Sequence, residues 1–172
     1  MNIFYSNENI RQREKELDFK SVVEILEKKF NATKKPIYLT TLIGYSWYFY
    51  IEGDIISQST DYSWKYFLEK WKYYIRLGLE NFNTDANVCW IIGYSIYLHW
   101  IHLGPKYQNI GLEMLELSYK LSQNDQLKSI TYCIKENVAV SSLEISVNDL
   151  RIFPTNSILD SYFKEIFTVQ NN

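Results

Sequence analysis

Alanine, the usual filler of tight helix–helix contacts, occurs only at Ala32, Ala86 and Ala139 in 172 residues. A helical protein built from this chain must close its gaps with something else. Gly44, Ser46, Gly93, Ser95 and Gly111 are the candidates. Glycine is scarce too, at 6 residues, and no glycine-rich phosphate loop lies among them. The two cysteines, Cys89 and Cys133, sit among apolar residues at no metal or redox spacing. Buried reduced thiols are therefore expected, and with them a reducing compartment. Surplus positive charge is also missing: 18 Lys and Arg stand against 20 Asp and Glu, a formal net of −2. A dedicated nucleic-acid binder would need a basic footprint. The opening M-N-I-F-Y-S-N-E-N-I-R carries no apolar stretch of the secretory type, so a cytoplasmic setting is expected.

What the chain has in excess is aromatic side chains: 17% of residues, 15 of them tyrosine. Four of them, Trp90, Tyr94, Tyr97 and Trp100, fall in N-V-C-W-I-I-G-Y-S-I-Y-L-H-W-I-H-L-G-P, from Asn87 to Pro105, which holds no Asp, Glu, Lys or Arg. Such a run is near the lower length limit for a bilayer span. Asn87, Ser95, His99 and His102 interrupt it, no basic cluster flanks it, and the mean hydropathy of the whole chain is −0.26. The centre of a bundle also needs a helix that is apolar all round, and that reading is preferred. A partial copy occurs earlier: Leu42 to Tyr48 reads nearly like Ile91 to Tyr97, and Ile43 and Ile92 are 49 residues apart (92 − 43). Two copies of one aromatic helix point to repeated helical hairpins around a shared core.

Apolar periodicity and caps predict an all-α chain of about seven helices in one domain, 1–172, with short loops and no linker. Residues 8–31 read as one N-terminal capping helix. Phe19, Val22, Val23, Leu26 and Phe30 form its stripe, and mixed charges, Glu14 included, form a solvated face. Pro36 suits the first turn of the next helix. Residues 37–82 and 86–123 form the two hairpins, with antiparallel neighbours because the connections are short. The second helix of the first hairpin, about 61–82, is expected to be capped by Thr60 or Asp61. Its core stripe would be Trp64, Phe67, Leu68, Trp71, Ile75, Leu79 and Phe82, with Tyr62, Tyr66, Tyr73 and Leu77 nearly opposite. Residues 125–168 supply the C-terminal helices, the last opened by a Ser157/Asp160 capping box. The alternation from Leu143 to Phe153 fits either a helix end or an extended segment.

This pattern resembles tetratricopeptide-like helical-repeat proteins. Trp90 and Tyr97 share the spacing of that motif's tryptophan and tyrosine, although Gly93 is one place early and the repeat exceeds the family's roughly 34 residues. The resemblance covers residues 37–123 and implies an α-solenoid-like architecture. A small, aromatic-rich helical chain without catalytic residues also resembles bacterial toxin-immunity proteins as a class.

Chemistry finds little purchase. His99-x-x-His102 would set two imidazoles on one helical face, but no carboxylate occurs between Asp85 and Glu113 to complete a metal site. The serines beside Gly-Tyr lack the strand–turn–helix context of a nucleophile elbow. Glu113 and Glu116 read as water-facing. The expectation is a non-enzyme with no catalytic, cofactor-binding or metal-binding residues. Its function would be that of a protein-binding module, with a cognate toxin domain as partner and neither nucleic acid nor membrane. The residues expected to meet that partner are Glu52, Asp54, Asp61, Tyr62, Tyr66, Glu69, Tyr73 and Arg76. Tyrosine is amphipathic and loses little entropy on ordering. Glu52, Asp54 and Asp61 would serve a basic partner, or are simply solvated. The tyrosine stripe is either such a surface or a second core face. Two alternatives stay open: a tetratricopeptide-like adaptor, and a helical enzyme or small-molecule binder around His99 and His102.

Overall fold

The computed structural model describes residues 2–56, 63–137, 151–154 and 157–169. Every regular element among them is helical: α1 (Glu8–Lys15), α2 (Phe19–Thr33), α3 (Pro36–Ile56), α4 (Trp64–Asn81), α5 (Ala86–His99), a 3-10 turn (Trp100–His102), α6 (Tyr107–Leu121), α7 (Asp125–Glu136) and α8 (Ile158–Val169). None is long and apolar enough to cross a membrane.

The charge-free stretch and its earlier partial copy fall in α5 and α3. All residues from Leu39 to Phe49 and from Val88 to Ile96 are buried, as helices surrounded by others must be. They run side by side in the same direction, because Phe4 bridges Gly44 and Trp90 while Trp47 meets Tyr94 and His99. Each starts a hairpin. In the second, Gly93 faces Leu115 and Tyr97 faces Gly111, so α5 and α6 are antiparallel. A Cβ on Gly93 would stand 2.7 Å from the Leu115 amide nitrogen. Glycine thus takes the place alanine leaves vacant, and the backbones touch directly. Two indole N–H groups tie the neighbours to α5: Trp71 donates to Ser95 Oγ at 3.1 Å and Trp47 to His99 Nδ1 at 3.1 Å.

The capping box opens α8 as expected, with Asp160 N–H donating to Ser157 Oγ at 3.1 Å and the Ser157 hydroxyl to Asp160 Oδ2 at 3.0 Å. Helix α8 lies across α3 and α5, its Phe163 among the rings of Phe4, Trp47, Trp90 and Tyr94.

Several local expectations are corrected. Residues 8–31 are two helices, since Leu17 takes φ 56° and the Asp18 side chain then caps α2 by accepting from Ser21 N–H at 3.2 Å. Helix α4 begins at Trp64 under a Ser63 cap, whose Oγ accepts from Tyr66 N–H at 3.4 Å; Thr60 and Asp61 lie outside the described residues. Trp64 is 48% exposed rather than core, while Tyr74 takes a core position at 2%. His102 sits on the 3-10 turn, not on the helix that ends at His99. Of Leu143–Phe153, only the turn from Arg151 onward falls among the described residues.

Glu14 is a further correction, because it is buried. Its carboxylate accepts from the Tyr45 hydroxyl and, at 3.0 Å, from Ile158 N–H, joining α1, α3 and α8. Burial raises its pKa above the ordinary 4.5, outweighing the lowering by Tyr45, Ile158 and Arg11. Just above that ordinary value the folded chain holds the proton and the unfolded chain does not. Stability therefore falls as pH rises through this window. Glu14→Gln should flatten that fall, read from melting temperatures between weakly acidic and neutral pH. An unchanged slope would remove Glu14 as its source.

Candidate functional site

Helix α4 turns Phe67, Trp71, Tyr74 and Ile75 inward. The flank beside that stripe faces α2, which runs parallel to α4: Lys20 stands over Tyr66, Glu27 meets Lys70 and Tyr74, and Phe30 meets Phe82. Between the two helices lies a groove of about 740 Å³. Tyr66, Tyr73 and Leu77 form its α4 wall, and Glu27, Phe30 and Lys34 form the α2 wall. The tyrosine stripe is thus neither a second core face nor a fully open surface. Tyr66 and Leu77 are half-buried and Tyr73 is 49% exposed.

A small polar network spans the groove. Glu27 Oε1 accepts both the Tyr74 hydroxyl and the Lys70 ammonium. Lys70 Nζ also lies 5.4 Å from the Tyr66 ring centroid and Lys20 Nζ 5.8 Å, a cation on each at cation–π range. Burial first, then Glu27 and Glu24, push the Tyr66 hydroxyl up to about 12. Burial and the Glu27 hydrogen bond push Tyr74 up further. Both phenols remain protonated donors at neutral pH.

Beyond the Tyr73 ridge the surface changes character. A recess of about 530 Å³ is lined by Glu69, Lys72, Tyr73, Arg76, Leu103, Lys106 and Tyr107. It shares Glu69 and Tyr73 with the groove, so the two form one continuous face. No protein-family model, curated protein or solved structure matches this chain. The site therefore stands on its own geometry.

Of the expected partner-contacting residues, Tyr66, Glu69, Tyr73 and Arg76 meet on this face. Glu52 does not line it; it neighbours Tyr48 and Tyr162, whose phenol pKa values are raised first by burial and then by its charge. The side chain of Asp54, and all of Asp61 and Tyr62, lie outside the described residues. Sequence reasoning missed Glu27, Lys70 and Tyr74, which cross the groove, and Lys106 and Tyr107, which close the recess.

The histidines sit elsewhere, in an aromatic seam. His99 Nδ1 accepts from Trp47, which places the proton of the neutral ring on Nε2. Burial, then the nearby His102, lower its pKa below 6.5. The rings of His99 and His102 are 6.0 Å apart, and His102 packs edge-on against Tyr50 at 5.3 Å. Among the described residues no three His, Cys, Asp or Glu cluster as metal ligands. Cys89 is buried, its thiol pushed up to about 12 by burial and Asp85. Glu116 is occupied by Lys135 and by Lys120 at 3.2 Å.

Proposed function

We propose that this chain is a non-catalytic protein-binding module that docks a partner protein on the outer face of α4. The observation that carries this reading is the continuity of the groove and the recess across Tyr73. A half-buried tyrosine wall and an exposed Arg76–Tyr73 pair occupy one face, and tyrosine and arginine are the side chains that dominate protein-interface energetics. Arg76 lies 5.9 Å from the Tyr73 centroid, so the ring already holds the guanidinium. The resemblance to toxin-immunity proteins supplies the partner: a cognate toxin domain, neutralised by direct binding in the cytoplasm of a bacterium. The groove also supports the adaptor reading, in which the partner is a peptide lying between α2 and α4.

Co-expression with the product of the adjacent gene tests the reading. A complex is expected, and Tyr73→Ala should weaken it by roughly tenfold or more, about 1.4 kcal/mol or above. The melting temperature should stay unchanged, since half the ring faces water. Binding unaffected by Tyr73→Ala would remove α4 from the interface. A neighbouring product that neither binds nor harms cells would sink the toxin assignment.

A further inference from the structure

We infer that the recess between α4 and the start of α6 is an acceptor for a carboxylate-rich segment of the docked protein, an assignment that rests on the docking reading above. Three cations line it, Lys72, Arg76 and Lys106, against one carboxylate, Glu69. Lys72 bonds that carboxylate at 3.0 Å, across the surface of α4. Among the described residues no carboxylate pairs with Arg76 or Lys106. On a chain of net charge −2 this recess carries a formal excess of +2 (three cations minus one carboxylate). A local field opposite in sign to the whole molecule selects and orients an acidic partner more than it adds raw affinity.

These two cations, without a carboxylate partner among the described residues, are also held in place. Arg76 rests over Tyr73, and Lys106 Nζ lies 5.2 Å from the Tyr107 ring centroid. Each ring restricts a long side chain without neutralising it, so less entropy is lost when a carboxylate arrives. Lys106 precedes the first turn of α6, whose amides receive no side-chain cap. The positive end of that helix therefore adds to the same wall.

Spacing gives the acceptor a register. Lys72 and Arg76 are one helical turn apart, roughly 5–6 Å between Cβ atoms. Carboxylates on alternate residues of an extended segment are about 6.6 Å apart, since each residue advances about 3.3 Å. An acidic–x–acidic stretch therefore matches Lys72 and Arg76, its first carboxylate displacing Glu69 from an exposed ion pair that contributes little, with Lys106 on the facing wall for a further carboxylate. An apolar side chain next to that stretch would cross Tyr73 into the aromatic groove. The partner chemistry is thus the reverse of the basic one that Glu52, Asp54 and Asp61 had implied.

Selection of random dodecapeptides on phage against the full chain tests this, with the Arg76→Glu/Lys106→Glu variant as counter-target. Both cations are surface groups, and equal melting temperatures would certify the variant's fold. The expected result is enrichment of Asp or Glu at alternate positions. The synthetic peptide should bind saturably, lose at least about tenfold affinity on the variant, and weaken in high salt. Enriched peptides that lack acidic residues and are lost on Tyr66→Ala would overturn the acceptor while leaving docking on α4 intact. No enrichment over the variant would overturn the acceptor alone, because peptides seated in the groove bind both chains equally; docking on α4 is read separately, from the co-expression test. Equal binding of a short oligothymidylate would overturn the acidic-protein assignment in favour of a general anion surface.

Discussion

Phe163→Ala should lower the unfolding free energy by about 4 kcal/mol, the middle of the range for a buried aromatic truncated to alanine. The Phe163 ring is fully buried, with centroids of Trp90 at 5.1 Å, Tyr94 at 5.2 Å, Phe4 at 5.3 Å and Phe153 at 5.5 Å. Removing it leaves a void walled by rings from α5 and from the segments around Phe4 and Phe153. Flat, rigid rings held on every side relax poorly into such a space, so most of the cavity penalty persists. Phe163→Leu keeps much of the volume and should cost only about 1–1.5 kcal/mol. Denaturant unfolding measures both, with the slope unchanged if the same surface is exposed. Equal losses for the two variants would show that α8 does not fill this core.

The second large effect belongs to Gly93. A Cβ there would meet the Leu115 nitrogen at 2.7 Å and the Gly111 carbonyl at 3.0 Å, both backbone atoms that cannot rotate away. Gly93→Ala gains about 1 kcal/mol of helix propensity. Forcing α5 and α6 apart costs about 3 kcal/mol, at the upper end for overpacking. The net expectation is a loss of about 2 kcal/mol. Gly78→Ala is the control. Its Cβ would stand 2.5 Å from Ile92 Cδ1, the far end of a flexible side chain. The shift is cheap, the propensity gain offsets it, and stability should change by less than about 0.5 kcal/mol. Equal effects at both glycines would mean that the α5–α6 approach is not rigid.

The legible parts of this structure are those whose cause is local. The copied I-G-Y-S segment marked the two central helices, and in the fold they do lie side by side. Pro36 and the Ser157/Asp160 pair stood where helices begin, because caps act over three or four residues. The break at Leu17 was hidden by charge: Asp18 passed as one more solvated acid in a mixed run, although it is a cap. Glu14 was misread for the same reason, since its partners Tyr45 and Ile158 are 31 and 144 residues away. On α4, helical spacing separated an inner from an outer stripe but put Trp64 inside and passed over Tyr74. Half of the site was therefore visible in Tyr66, Tyr73 and Arg76. The groove was not, because its other wall, Glu27 and Phe30, comes from α2, where no periodicity in α4 can point.

The way α8 covers α3 and α5 also sets a timetable. Phe163 follows Tyr94 by 69 positions (163 − 94), yet the two rings touch. During synthesis α3 and α5 leave the ribosome with no lid for their aromatic faces, and at roughly 5–20 residues per second they wait several seconds for one. Contacts of such long sequence separation are slow to form, because the intervening loop must be closed before they reward it. The nascent chain up to α7 thus exposes a sticky surface that the finished protein hides, and release of a truncated product should favour aggregation or chaperone capture.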